Sequence, residues 1–544
     1  MRSRRTLPAS LAGLVALTLA AGCGGAQDVA TSDSTSTPTG APDTVTSVPT
    51  TAASTTVPPT SGSPSTEGSG DLPAGFGDGP PGSGIERFYD QQVTWDSCGG
   101  GDECADIWVP LDYADPDGQA ITVKAKRDPA DDQSARRGSL FINPGGPGGS
   151  GIDYLSYIAL APSVTAAYDV IGFDPRGVAS STPVECLSDS QLDDYIASDP
   201  SPDDAAEVQD FEDSWTAFTQ GCEDHSGPLL AHVSTVEVAE DMDVMRQVVG
   251  DDKLNYFGAS YGTYVGATYA GLFPDKVDRM VLDGAVDPLA KPRTSEIDQA
   301  AGFDDSLTDY LQDCVDQGGC PLGDSVDAAR QQIIQLLADI DQSPLPTTSG
   351  REVTEGLAFY GIVLPLYSKA NWPYLTQALE QALSGSGDTL LLLADSYSGR
   401  TQDGTYPDNS LEVQSAVNCL DKPESESVND IEADGKTFLD KAPVFGSAAM
   451  WWPYACSNWP VKSTTKQPDF SAKGAAPIVV VGTTRDPATP YQQAVNLAHE
   501  LDSGVLLSRD GDGHTAYGMG NDCIDDAINT YLVTGEPPRD GTQC

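Results

Sequence analysis

The chain has 544 residues, with 81 acidic against 29 basic side chains and a formal net charge of −52. That balance excludes nucleic acid as a partner class, because phosphate recognition needs clustered Lys and Arg. Eleven cysteines beside only four histidines argue against a zinc-rich protein and, in an exported chain, read as disulfides.

The question of export turns on the N-terminus. Arg2, Arg4 and Arg5 precede the apolar run Leu11 to Ala21, too short to span a bilayer and arranged as a secretory signal over residues 1–22. Leu19-Ala20-Ala21-Gly22-Cys23 resembles a bacterial lipobox, although Ala20 stands where Leu gives the strongest pattern. Cys23 is therefore the lipidation candidate, anchoring the chain to the outer face of the cell membrane; the alternative is an ordinary leader and a secreted protein. Setting Cys23 aside leaves ten cysteines, enough for five bridges. Residues 23–84 are rich in Thr, Ser, Pro and Gly and poor in aromatics. Such a stretch cannot offset its ordering entropy, so it is predicted to be a disordered tether.

Beyond the tether, strand-length apolar runs alternate with helix-like segments, the mark of a mainly parallel α/β sheet. Gly138 to Ile142 opens into a glycine-rich loop, Asn143 to Gly151, and Tyr168 to Phe173 ends in Asp174-Pro175-Arg176-Gly177. Leu254 to Phe257, Met280 to Leu282, Pro477 to Val481 and Gly504 to Ser508 complete the strands. Amphipathic helices fill the interval between, so the body divides into 85–286, a helical insertion 287–475, and 476–544.

Strand Leu254 to Phe257 runs into Gly258-Ala259-Ser260-Tyr261-Gly262 and then a helix. A G-x-S-x-G match is common by chance, and the strand–turn–helix context gives it meaning: the turn lifts the Ser260 hydroxyl above the sheet. A serine hydroxyl needs a base. His225 and His232 precede Ser260, and His499 lies in a helix. His514, in the loop Gly511 to His514 past the last strand, is the candidate base. Asp486, on the loop after the preceding strand, is the acid that orients it, with Asp512 as the alternative. An oxyanion needs two N–H donors, assigned to Tyr261 and, in the glycine loop, Gly146. Arg176 is expected to pin loops by ion pairs.

Together, Asn143 to Gly148, Asp174 to Gly177, Gly258 to Gly262, Asp486 and Gly513-His514 resemble the α/β-hydrolase peptidases of the prolyl aminopeptidase and tripeptidyl aminopeptidase family, over residues 85 to the C-terminus. The resemblance implies an α/β-hydrolase fold with a large helical lid before the catalytic Asp. It also implies an exopeptidase acting on peptides with a free N-terminus, without metal or cofactor. Ala416 to Asp421 and Ala455 to Pro460 fit the family's C-terminal part, and the likeness makes Cys419 and Cys456 a disulfide candidate. Exopeptidases capture a substrate ammonium on a carboxylate; Asp421 and Glu412 are the candidates, and Thr489 is expected to face the pocket. A carboxylesterase or lipase with the same triad is the second reading, and a non-catalytic peptide-binding lipoprotein the third. The sequence leaves the oligomeric state open.

Overall fold

The computed structural model describes residues 74–544, so the leader 1–22, Cys23 and most of the tether lie outside the described residues. The main sheet has ten strands: β1 Asp96–Gly99, β2 Asp102–Pro110, β3 Ala120–Asp128, β4 Gly138–Asn143, β5 Tyr168–Phe173, β6 Leu254–Ala259, β7 Val277–Asp283, β10 Ile478–Arg485, β11 Gly504–Asp512 and β12 Thr542–Gln543. A separate ribbon of β8 Leu345–Pro346 and β9 Glu352–Val353 lies within the helical insertion. The sheet order is β1-β2-β3-β5-β4-β6-β7-β10-β11-β12. β1 to β3 are antiparallel, β3 joins β5 antiparallel, and every later neighbour pairs in parallel.

β4, β5 and β6 are buried along their whole length, as strands covered on both faces must be. Alternate side chains serve opposite layers. Leu140, Ile142, Phe257, Val479 and Val481 pack under the helices Pro162–Thr165 and Asp522–Thr534. Phe141, Tyr256, Leu282, Ile478 and Val480 pack under Thr235–Val248, Tyr261–Leu272 and Gln492–Glu500. Burying both faces is the main source of stability, at roughly 25 cal/mol per Å² of apolar surface removed from water.

Between β7 and β10 the chain leaves the sheet as a helical layer that starts with Pro292–Gln317. This layer has its own core, which includes Leu307, Ile333, Leu357, Ile362, Leu375 and Leu390. Leu192 and Ile196 belong to the same core although they come from the helix Asp189–Ile196, between β5 and β6. The layer is thus built from two excursions of the chain, where the sequence marks one.

Five disulfides close loops: Cys98–Cys104, Cys186–Cys222, Cys314–Cys320, Cys419–Cys456 and Cys523–Cys544. All ten cysteines after Cys23 are used, and the Cys419–Cys456 candidate is among them. The tether boundary needs correction. Gly77 exchanges two backbone hydrogen bonds of 2.9 Å with Ala120, and Thr122 donates to the Gly75 carbonyl at 3.1 Å. A Cβ at Gly77 would lie 2.7 Å from the Trp108 ring. Glycine here allows close backbone approach to β3, a use that composition does not separate from flexibility.

Candidate active site

β6 ends at Ala259 and the next helix begins at Tyr261, so Ser260 alone makes the turn, at φ 54° and ψ −127°. A positive φ is strained for any residue with a Cβ, and here the neighbours hold it. The Ser260 N–H donates to the Asp283 carbonyl at the end of β7 (2.8 Å), and the Thr263 N–H donates back to the Ser260 carbonyl (2.8 Å). The Tyr256 hydroxyl donates to the Gly262 carbonyl at 2.8 Å. The two motif glycines have steric causes. A Cβ at Gly258 would meet the Gly262 carbonyl oxygen at 2.4 Å, and one at Gly262 would meet the Asn143 carbonyl oxygen at 2.9 Å.

His514 and Asp486 approach from the far ends of β11 and β10. The imidazole Nδ1 lies 2.9 Å from both carboxylate oxygens of Asp486, whose side chain is fully buried. Asp486 also accepts N–H bonds from Ala488 (3.0 Å), Thr489 (2.9 Å) and Thr515 (3.1 Å). Burial works against a charge on His514, and the nearby carboxylates, Asp486 first and then Asp283, outweigh it, so its pKa is raised. With Nδ1 occupied by a carboxylate, Nε2 is the free nitrogen for proton transfer. Gly284 links the two halves: a Cβ there would stand 3.2 Å from His514 Cε1, and Gly284 directly follows the Asp283 that holds Ser260.

The glycine loop comes in from β4. A Cβ at Gly145 would meet Ser260 Cβ at 2.8 Å and the Tyr261 nitrogen at 3.0 Å, so this glycine is required for the loop to touch the serine turn. The Gly145 N–H donates to the Asn143 side chain at 2.9 Å. Above the loop sits the helix Ser410–Asp421: a Cβ at Gly148 would lie 2.5 Å from the Ser410 carbonyl oxygen. Asn409 accepts from Ala179 N–H and donates to the carbonyls of Gly177 and Val184, fixing that helix start to the loop after β5.

The remaining sequence candidates divide. Thr489 Oγ1 lies 3.3 Å from His514 Nδ1, at the centre of the site. Asp421 accepts from Thr235 N–H (3.0 Å) and Thr235 Oγ1 (2.5 Å), and Thr235 Oγ1 also touches the Tyr261 hydroxyl. Burial pushes the Asp421 carboxyl up to about 7. Glu412 does not join them. One of its oxygens accepts the N–H groups of Cys186 and Leu187, both at 2.8 Å, so it serves as a loop anchor where a substrate contact was expected. Trp451 packs on Phe211 and Trp459 on Trp215, within the core that also covers the main sheet. Arg176 is fully buried and grips Asp241 with two bonds of 2.6 and 2.7 Å while donating to three backbone carbonyls.

Two residues at the site escaped the sequence reading. Tyr367, just past the helix Glu355–Leu366, accepts the His514 N–H on its carbonyl (2.8 Å) and sets its ring against the imidazole. Nothing in its sequence context signals this. Asp283 did carry a signal, since it ends a strand beside the serine strand at the carboxyl edge of the sheet, where α/β proteins build their sites.

Sheet order, strand–turn–helix serine and the imidazole–carboxylate pair past it define an α/β-hydrolase serine enzyme. A family model described as TAP-like protein matches residues 442–544. The chain is 40% identical over 478 residues to the serine protease Hip1 of Mycobacterium tuberculosis, spanning 84% of this chain and 91% of that protein. It is 37% identical over 457 residues to carboxylesterase B of the same species, covering 81% and 86%. With tripeptidyl aminopeptidase of Streptomyces lividans it shares 33% over 452 residues, covering 81% and 83%. The chain belongs to this tripeptidyl-aminopeptidase-like family of α/β-hydrolases.

Proposed function

We propose that the protein is an exported serine exopeptidase that releases tripeptides or similarly short peptides from substrates with a free N-terminus. The observation that carries the reading is the 2.9 Å contact of His514 Nδ1 with Asp486, beside a serine held at positive φ. Ser260 Oγ attacks the scissile carbonyl, His514 Nε2 takes its proton, and Asp486 holds the imidazole and stabilises the imidazolium. The oxyanion is received by the N–H of Tyr261 and of Gly146, since the Gly145 N–H is engaged by Asn143. His514 then protonates the leaving amine, and water, deprotonated by the same imidazole, hydrolyses the acyl-enzyme.

Asp421 is the carboxylate proposed to receive the substrate ammonium. Its ionised form is costly where it stands, and an incoming cation relieves that cost. The helical layer of residues 287–475 acts as the lid over this end of the site. Export rests on the leader 1–22 and is supported by five disulfides. Cys23 is the proposed lipid anchor. Ester hydrolysis by the same triad is the second reading, favoured by the 37% identity to carboxylesterase B.

A fluorophosphonate probe tests the mechanism. It is expected to label the native protein on Ser260, and Ser260→Ala is expected to lose both labelling and hydrolysis while unfolding at the native temperature. Unchanged turnover in that variant contradicts the mechanism.

A further inference from the structure

Asp283 is 1% exposed and makes two separate attachments. Its carbonyl accepts the Ser260 N–H at 2.8 Å. Its carboxylate accepts the Ala516 N–H (3.0 and 3.1 Å to the two oxygens) and the Tyr517 N–H (2.9 Å), the residues just past His514. One side chain and its own backbone thus tie the nucleophile turn to the histidine loop. Facing the carboxylate are Tyr154, Tyr517, Asp486 and His514. Of these four, His514 alone can carry positive charge.

We infer that Asp283 is a second, positioning carboxylate for His514: it fixes the histidine loop against the serine turn, and its charge helps to stabilise the imidazolium formed during acyl transfer. Hydrogen bonds from two N–H groups favour its ionised form, while burial and Asp486 oppose it and push its carboxyl up to about 6. Both carboxylates raise the affinity of His514 for a proton. Tyr367 and Thr489 are neutral, Arg509 is turned to the carbonyls of Asp512 and Thr515, and Arg485 and Lys369 are held by Asp512 on the outer side of the loop.

The inference rests on the triad reading, and Asp283→Asn tests it. Asn keeps the size and one acceptor oxygen but removes the charge. With a peptidyl anilide as substrate, kcat is expected to fall by about ten- to a hundredfold with KM unchanged. The acid limb of the kcat/KM profile is expected to move to lower pH by about one unit, because an imidazolium with less negative charge beside it releases its proton earlier. The His514 ring titrated by NMR gives the same shift without turnover, so failure of the native protein to hydrolyse anything refutes the triad and not this role. If Asp283→Asn does not fold, Asp283→Glu serves: it keeps the negative charge, so the acid limb and the His514 titration are expected to stay within about half a unit of the native ones. An unshifted acid limb and imidazole in Asp283→Asn, or a shift of about one unit or more to lower pH in Asp283→Glu, overturns the inference and leaves Asp283 a packing residue.

Discussion

Gly284 decides how closely His514 can approach the strand end that holds Ser260. It follows Asp283, takes φ +66°, and leaves room for His514 Cε1, Thr515 Cγ2 and Thr489 Oγ1 at 3.2, 3.1 and 3.3 Å from where a Cβ would be. Gly284→Ala therefore places a methyl group against the imidazole and adds strain at a left-handed position. A displacement of about 1 Å in such a site costs on the order of a hundredfold in rate. We expect kcat for a peptidyl anilide to drop by roughly ten- to a hundredfold, with His514 NMR signals moved. A variant with native kcat would mean that the loop yields easily and that the close approach has no catalytic weight. At the same scale, the placement of Ser260, Asp486 and His514 was legible because each stands just past a strand, in the chain order the proposed triad requires. Glu412 was misread for the opposite reason. A carboxylate in a helix looks the same in sequence whether it meets a substrate or caps two backbone N–H groups of a distant loop.

At the scale of elements, the strands were read from continuous apolar runs, and β4, β5, β6 and β10 stand where those runs stand. The strands β1, β2 and β3 at one end of the sheet were not read. β1 is exposed throughout and β2 and β3 are covered on one side more than the other, so no uninterrupted apolar run marks them. The helical layer was visible as a change of period, yet its contribution from Asp189–Ile196 was not, because no local pattern says which core a helix joins. The contacts that matter most for the site cross between these elements. Ser410 closes on Gly148, Asn409 grips the loop after β5, and the Tyr367 carbonyl holds the His514 N–H. The layer therefore helps to shape the site. The Cys419–Cys456 bridge fastens the far end of the Ser410–Asp421 helix, so Asp421 sits on an element secured at both ends.

For the molecule as a whole, the charge of −52 and the buried carboxylates act in the same direction. Burial, helped by a hydrogen bond that protonated Glu355 donates to Asp199, pushes Glu355 up to about 8, and burial pushes Glu240, Glu296, Glu412 and Asp421 up to about 7. A folded-state pKa above the unfolded one means that the folded protein holds protons the unfolded chain releases. That contribution is full below the unfolded value near about 4 and is lost as pH rises through the folded values. Asp243, through its ion pairs, and Asp169, through the Ala130 N–H and the Arg136 side chain, have pKa values lowered against the effect of burial and work the other way, but only in the acid range below the ordinary carboxylate value. Between those limits the raised groups and the relief of like-charge repulsion both favour the fold. The melting temperature is thus expected to be higher at about pH 5 than at about pH 8, with added salt narrowing the gap. Calorimetry showing the reverse order would contradict this account of the buried acids.

The acidic surface and the proposed ammonium-binding carboxylate, Asp421, bear on one question: whether the enzyme recognises a free N-terminus. A tripeptidyl anilide and its N-acetylated form differ only there. The account predicts a kcat/KM at least about a hundredfold lower for the acetylated substrate, because a charged pair worth roughly 3 kcal/mol or more is lost. Equal rates on the two would contradict exopeptidase action and leave a serine hydrolase with no use for the N-terminus.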